Sequence, residues 1–257
     1  MQFPYFDLSG KVAIITGGAA GIGRGIAEGL ADAGSSIVLA ARRLDACAGT
    51  CEEISARTGV QTLPLRCDVT KKADIDRLIR DTQKEFGRID ILVNNSGIGG
   101  SEKPILEMKD TDWDCVIDTN LNAVFSLSRA VAGHMVIKGE GGKIINVASI
   151  GGMIVFKNMS AYCASKAACI QLTRVMALEW VRYNIQVNAI LPGYFETPMN
   201  RDFFSSDTGK RIIKNKIPVK RIGRIEELRG IAVLLASPAS SFITGSAIVV
   251  DGGQSCC

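Results

Sequence analysis

The sequence predicts an α/β fold, a single-domain Rossmann-type doubly wound parallel sheet of seven strands with helices on both faces. Three observations predict it. Short β-branched runs alternate with longer segments of helical period along the chain. Most of these runs are apolar almost without a break, as strands buried on both faces are. The first run leads straight into a glycine-rich turn and then a helical pattern.

The strand candidates are 11–16 (KVAIIT), 36–41 (SIVLAA), 61–66 (QTLPLR), 89–94 (IDILVN), 143–148 (KIINVA), 185–190 (IQVNAI) and 247–250 (AIVV). Helical patterns fill the intervals at roughly 22–33, 44–57, 71–86, 112–137, 160–182 and 224–236. Strand following helix in this way calls for right-handed crossovers, which place a ligand crevice at the carboxyl ends of the strands. With 257 residues, 47% of them hydrophobic, the chain can bury a substantial core. No repeat, low-complexity stretch or linker divides it, so residues 1–257 are expected to form one domain.

Charge and composition exclude several classes. A formal charge of +4 is modest, and the 30 basic residues are dispersed among 26 acidic ones without the basic block of a nucleic-acid surface. The N-terminus lacks a basic segment followed by an apolar run, and no apolar stretch reaches the roughly 20 residues that span a bilayer, so a cytoplasmic protein is expected. The eight cysteines lack CxxC pairing and His134 is the only histidine, which argues against a zinc or other metal site. The cysteines read as small buried hydrophobes, except Cys256 and Cys257, which a chain end is expected to expose.

Gly17, Gly21 and Gly23 stand at the first strand-to-helix turn, in TGGAAGIGRG. Gly17 can make the tight turn, Gly21 lets the backbone approach a pyrophosphate, and Gly23 permits close helix packing. With Ile22, they form the expected nucleotide cradle at a helix N-terminus, where unpaired N–H groups and the dipole favour an anion.

A second constellation lies in NVASIGGMIVFKNMSAYCASK, residues 146–166. Tyr162 and Lys166 are four residues apart in a helical pattern and so project from one face. An ammonium beside a phenol lowers its pKa from about 10 toward working pH, as general acid/base work requires. Ser149, at the end of a strand-like run, can donate to a carbonyl oxygen that gains negative charge during reduction. An ordinary amphipathic helix with a surface lysine is the competing explanation of Tyr-x-x-x-Lys alone.

Taken together, the motifs resemble those of the short-chain dehydrogenases/reductases over nearly the whole chain. The family's TGxxxGxG corresponds to residues 16–23 and its NNAG to Asn94, Asn95, Ser96 and Gly97. Its helix-borne Asn corresponds to Asn120, its Ser to Ser149, its YxxxK to Tyr162 and Lys166, and its PGxxxT to Pro192, Gly193 and Thr197. Ser96 in place of alanine is the one departure. Among relatives, the chain is similar to 3-oxoacyl-carrier-protein reductases and gluconate 5-dehydrogenases.

The resemblance implies an enzyme that transfers a hydride between NAD(P)(H) and a carbonyl or secondary alcohol of ketone, 3-oxoacyl or sugar-acid type. By that analogy Tyr162 is the general acid/base, Ser149 polarises the substrate oxygen, and Lys166 lowers the Tyr162 pKa and holds the nicotinamide ribose. Asn120 then fixes a relay water. Asn95 contacts the cofactor, Asp68 and Val69 meet adenine, and Pro192, Gly193 and Thr197 meet the carboxamide. A helix cap at Asp68 and a plain turn at Pro192-Gly193 are the bland alternatives. A non-catalytic nucleotide-binding regulator of the same fold is the functional alternative, and it would be expected to lack Ser149, Tyr162 or Lys166.

After the second strand the chain offers Ala41, where NAD-type members place Asp, and then Arg42 and Arg43, whose guanidinium groups suit a 2′-phosphate. NADP(H) is therefore the expected cofactor and NAD(H) a possible one, with Asp45 already in the next helix and facing away. Substrate choice is expected in 98–104, 150–159 and above all a lid over about 194–218, which carries Phe195, Met199, Phe203 and Phe204 beside Arg201, Lys210 and Arg211. A plain amphipathic helix has the same composition. The helices at 112–137 and 160–182 are expected to join copies into a homo-oligomer, a tetramer by the resemblance.

Overall fold

The computed structural model describes residues 4–197 and 200–256; Met199 and Cys257 lie outside the described residues. Seven strands form one parallel sheet in the order β3-β2-β1-β4-β5-β6-β7. They are β1 (Val12–Thr16), β2 (Ser36–Ala41), β3 (Thr62–Arg66), β4 (Ile91–Asn94), β5 (Gly142–Val147), β6 (Ile185–Pro192) and β7 (Ala247–Val250). The order reverses between β1 and β4, so successive crossovers run opposite ways there and open a crevice at the strands' carboxyl ends.

Alternate residues of one strand feed the two faces. In β1, Ala13 and Ile15 enter a core with α1 (Gly21–Asp32), α2 (Leu44–Thr58) and α9 (Arg229–Ala236). Val12 and Ile14 enter the opposite core, with α3 (Lys72–Phe86), α5 (Ala123–Lys138) and α6 (Ser160–Trp180). Central strands β1, β4 and β6 are buried throughout, Gln186 and Asn188 of β6 included, whereas edge strands β3 and β7 are only partly covered.

Three expectations are corrected. The helix expected at 112–137 begins earlier, as α4 (Asp110–Ile117), passes through a π-helical turn at Asp118–Asn122 and continues as α5. Side-chain periodicity does not register one extra residue in a turn, so the sequence conceals it. The segment at 224–236 starts as a tighter 3-10 turn, Ile225–Leu228, before α9. The 194–218 region holds two helices, α7 (Arg201–Ser205) and α8 (Asp207–Lys216), the second capped by the Ser206 hydroxyl accepting from the Gly209 N–H at 3.2 Å.

Helices α1 and α9 cross closely because α1 presents glycines. A Cβ on Gly25 would collide with Ile225, and one on Gly29 would press on Arg229. Arg229 meanwhile pairs with Glu28 of α1, joining the helices beside that contact. Cys47, Cys51, Cys67 and Cys169 are buried, as expected of small hydrophobes, and burial pushes the Cys51 and Cys67 thiols to about 11 and about 12. Cys115 and Cys256 are exposed. Among the described residues no helix is long and apolar enough to cross a membrane, and no His, Cys, Asp and Glu gather as metal ligands.

Candidate active site

The glycine turn lies between β1 and α1. Gly17 has φ +64° and Gly21 φ +55°, left-handed conformations that favour glycine, and a Cβ on Gly17 would press on Asn95 and Ser96. Gly23 packs against the Gly17 carbonyl and Asn95, so the close approach it permits is to the turn itself. Ala20 caps α1 without a side-chain acceptor, which leaves the first-turn N–H groups of Gly21, Ile22 and Gly23 available to an anion. Thr197 is carried to this turn, its methyl 3.4 Å from where a Gly21 Cβ would stand.

Thr16 fastens the turn to the end of β4. Its hydroxyl accepts from the N–H groups of Asn95 and Ser96, both at 3.0 Å. The Asn95 amide donates back to the carbonyls of Thr16 (2.9 Å) and Gly17 (3.2 Å). Asn95 thus shapes the cradle, with its side-chain N–H groups spent on these two carbonyls. Beneath lies a buried polar ladder: Asn94 Nδ2 donates to Ser128 Oγ and Asn146 Oδ1 at 2.8 Å each, and Asn146 Nδ2 donates to Thr173 Oγ1 at 2.9 Å. Sequence reasoning gave no role to Thr16, Ser128, Asn146 or Thr173; the polar Thr16 and Asn146 within apolar strands were a usable signal, whereas Ser128 and Thr173 lie on helices.

At the adenosine end, Arg42 and Arg43 are exposed just past β2, and neither has an ion-pair partner among the described residues. Asp45 lies in the first turn of α2, as expected. Asp68 is no helix cap: Lys71 occupies that position, and Asp68 Oδ1 accepts from the Thr70 N–H (3.0 Å) and Oγ1 (2.7 Å). These bonds, with the charge of Arg42, hold its carboxyl below the usual range. Val69 is buried beside it. Pro192 ends β6, and the Gly193 N–H donates to the Val250 carbonyl at 2.9 Å, with a Cβ there excluded by Asp251.

The second constellation gathers at the carboxyl end of β5. Ser149 is buried, and its hydroxyl accepts from the Gly151 N–H at 3.0 Å. Burial raises the Tyr162 pKa, and the neighbouring Ser149 hydroxyl only partly opposes it. Lys166, 6% exposed, lies over the Tyr162 ring with Nζ 5.8 Å from its centroid and donates to the Val147 carbonyl at 2.9 Å. The ammonium is turned to a carbonyl, burial lowers its own pKa, and desolvation is the largest influence on the phenol.

Asn120 sits on the π-helical turn, and its amide is fully engaged. Oδ1 accepts from the Ile98 N–H at 2.8 Å, while Nδ2 donates to the Ile98 carbonyl (2.9 Å) and to Ser165 Oγ (3.1 Å). Ser165 in turn donates to the Tyr162 carbonyl at 2.7 Å. The Asn120 side chain thus ties the Ile98 loop to the helix that carries Tyr162.

Aromatic side chains wall the site. Gly151 lies between Phe156 and Tyr162, where a Cβ would meet both rings. Tyr194 stacks on Phe156 at 6.2 Å and meets Phe204 edge-on at 5.1 Å, and Phe203 meets Phe204 in the same way. Of the lid residues, Phe195 and Phe204 are buried, whereas Arg201 is paired with Glu196 at 2.8 Å. A cavity of about 440 Å³ opens between the glycine turn and the lid, lined by Ala20, Gly21, Arg24, Glu196, Arg201 and Arg224 among others.

A family model described as enoyl-(acyl carrier protein) reductase matches residues 17–255. The chain is 41% identical to the 2-dehydro-3-deoxy-D-gluconate 5-dehydrogenase of Escherichia coli (strain K12) over 251 residues, 96% of each chain. Its fold is similar to the crystal structure of a short-chain type dehydrogenase/reductase from Mycobacterium marinum, with TM-score 0.93, 42% identity and 98% of each chain covered. It is also similar to a gluconate 5-dehydrogenase from Burkholderia cenocepacia J2315 in complex with NADP and tartrate, with TM-score 0.93, 37% identity, and 99% of this chain and 98% of that one covered.

Proposed function

Since the chain belongs to the short-chain dehydrogenase/reductase family, we propose that it interconverts a ketone and a secondary alcohol with Tyr162 as the proton-transferring group. It is an NAD(P)-dependent oxidoreductase acting on a small molecule. The observation that carries the proposed roles is the convergence of Ser149, Tyr162 and Lys166 at the end of β5, with Lys166 over the Tyr162 ring and bonded to the Val147 carbonyl.

The residues fit a dinucleotide. Gly17, Gly21, Ile22 and Gly23 form an uncapped helix N-terminus suited to a pyrophosphate. Arg42 and Arg43 have no ion-pair partner among the described residues and stand where a 2′-phosphate would need them, which favours NADP(H) and leaves NAD(H) as the weaker alternative. Asp68 and Val69 would border the adenine, Pro192, Gly193 and Thr197 the carboxamide, and Tyr162 and Lys166 the ribose. Asn95 would support the cradle from behind. When bound, the nicotinamide supplies the hydride donor or acceptor.

The chain's own groups handle the proton. In reduction, buried Tyr162, held neutral, gives its phenolic proton to the oxygen that gains charge, and in oxidation its phenolate takes the proton back. Ser149 donates to the same oxygen and lowers its charge. Lys166 stabilises the phenolate through its nearby charge. Asn120 positions Tyr162 through Ser165.

Around this centre we place one domain over residues 1–257, a substrate lid about 194–218, a cytoplasmic location, and a homo-oligomer, a tetramer. Support for assembly is exposed apolar surface on α5 and α6: Ile137 is 86% and Leu178 81% exposed. Light scattering is expected to give a multiple of the monomer mass, and a monomer at micromolar concentration refutes the assembly.

A screen of ketones with NADH and NADPH, read at the nicotinamide absorbance, tests the reaction. Turnover that Tyr162→Phe abolishes supports the reading; cofactor binding without turnover of any carbonyl supports a non-catalytic protein instead.

A further inference from the structure

A chain of four aromatic rings leads from the Tyr162 ring to the rim of the lid. Gly151 begins it: a Cβ there would stand 2.9 Å from the Phe156 ring and 3.1 Å from the Tyr162 ring, so both ring edges border the same small space. Phe156 stacks on Tyr194 with centroids 6.2 Å apart and planes inclined by 24°. Tyr194 then meets Phe204 at 5.1 Å, and Phe204 meets Phe203 at 5.1 Å. Three separate segments supply these rings: the loop that follows Ser149, the stretch just past β6, and α7.

A ligand can reach this strip. Phe156 and Tyr194 are partly exposed and Phe203 is 47% exposed, whereas Phe204 is buried between Tyr194 and Phe203. Val155, on the loop that carries Phe156, is 90% exposed. Apolar side chains grouped in water beside a cleft are unfavourable until something apolar covers them.

The chemistry of the strip says which ligand. Its four side chains supply a single polar atom, the Tyr194 phenol oxygen, and the ion pair of the adjoining segment, Arg201 with Glu196 at 2.8 Å, is closed on itself. An open-chain polyol laid on these rings would exchange hydrogen bonds to water for hydrocarbon. A flat apolar ring system loses none, and it gains edge and face contacts with each ring it crosses.

We propose that Phe156, Tyr194 and Phe203 form a rest for a flat, apolar, ring-bearing ketone, which lies along the strip with its carbonyl at Tyr162, so that fused-ring ketones are better substrates than simple cyclic or polyhydroxylated ones. This rests on the oxidoreductase reading and deepens it by naming a substrate class. Gly151 is what lets the strip reach the phenol, since a side chain at that position would push Phe156 away.

The test measures kcat/KM for cyclohexanone, β-tetralone and 5-ketogluconate, with NADH and NADPH, in the parent, Phe156→Ala and Phe203→Ala. β-Tetralone is cyclohexanone with a fused benzene ring, so the ratio of the two isolates the added flat surface. The parent is expected to favour β-tetralone over both other ketones by about 10-fold or more, as burial of a further ring implies. Phe156→Ala is expected to lower the tetralone-to-cyclohexanone ratio about 3- to 10-fold, the range of one lost ring pair, chiefly through KM of β-tetralone. Phe203→Ala is expected to lower it in the same direction by a smaller factor, and because that ring is exposed at the rim it guards against a folding defect in Phe156→Ala. Each ratio is taken within one variant, so a loss of active protein cancels. A parent that reduces cyclohexanone or 5-ketogluconate as well as β-tetralone or better, or a ratio that survives both substitutions, overturns the proposal and leaves the oxidoreductase reading standing. A parent that reduces none of the three overturns both.

Discussion

Lys166 lies over the face of Tyr162, its Nζ 5.8 Å from the ring centroid, and spends a proton on the Val147 carbonyl rather than on the phenol oxygen. The pair is adjacent but not yet coupled as a proton-transfer unit, and burial, not charge, dominates the phenol. What the ammonium does to the phenolate is therefore measurable as a displacement of the pH profile.

Because burial raises the Tyr162 pKa, the phenol stays protonated through neutral pH. Reduction, which needs the proton, is expected to hold a constant kcat/KM through neutrality and to fall only at alkaline pH, while oxidation rises there. Lys166→Met removes the cation and should move both limbs further alkaline. Tyr162→Phe is expected to lower turnover by about 10² to 10⁴ with cofactor binding retained. Profiles taken in both directions check the assignment, and limbs unmoved by Lys166→Met contradict the charge role.

Much of this site was legible in the sequence because its chemistry is written in local spacing. Tyr162 and Lys166 share a helix face at an interval of four, and the glycine turn follows β1 directly. The unread parts depend on contacts between distant segments. Asn120 is one period-consistent residue on a long helical pattern, and only the π-helical turn and the Ile98 loop give its amide partners. In the fold, apolar runs located all seven strands to within two residues at each end, whereas the 3-10 start at Ile225 depends on its packing over Gly25.

Cofactor choice is expected to follow Arg42. Its guanidinium is exposed and unpaired among the described residues, so a phosphate bond there is worth between about 1 kcal/mol, for a loose pair, and about 3 kcal/mol, for an ordered one. Arg42→Ala should reduce kcat/KM with NADPH severalfold to a hundredfold and leave NADH nearly unaffected. Equal losses with the two cofactors, or a parent that prefers NADH, contradict the assignment.

Asp90 is expected to stabilise the fold in a pH-dependent way. Burial alone would push its carboxyl up, but the Arg88 hydrogen bonds at 2.6 and 2.7 Å, the Val12 N–H at 2.9 Å and the charge of Lys11 outweigh that and hold it low. With the folded pKa below the unfolded value of about 3.9, the contribution is complete above that pH and is lost as pH falls through the folded value. Asp90→Asn should cost about 1–3 kcal/mol at neutral pH. Denaturant melts should show the parent's advantage shrinking below about pH 4, and an advantage independent of pH refutes the linkage.

Two glycines predict opposite outcomes for one substitution. Gly25→Ala drives a methyl into Ile225 and is expected to cost about 1–3 kcal/mol. Gly49, inside α2, has nothing within 4 Å of an added Cβ, so Gly49→Ala should stabilise by about 0.4–1 kcal/mol. Thermal melts of both variants decide the matter, and equal effects refute the packing account of α1 against the 3-10 turn that leads into α9.

The Thr16 hydroxyl receives two N–H groups from a loop that lies seventy-nine and eighty residues further along the chain. Positions 16, 95 and 96 consequently cannot drift one at a time. A lineage that replaced Thr16 with valine would strand both amides at once, and recovery would demand a new acceptor from the same few atoms of space. Inheritance therefore handles the three positions as a single character, and an ancestral reconstruction that samples them independently would generate intermediates whose nucleotide turn has lost its tether.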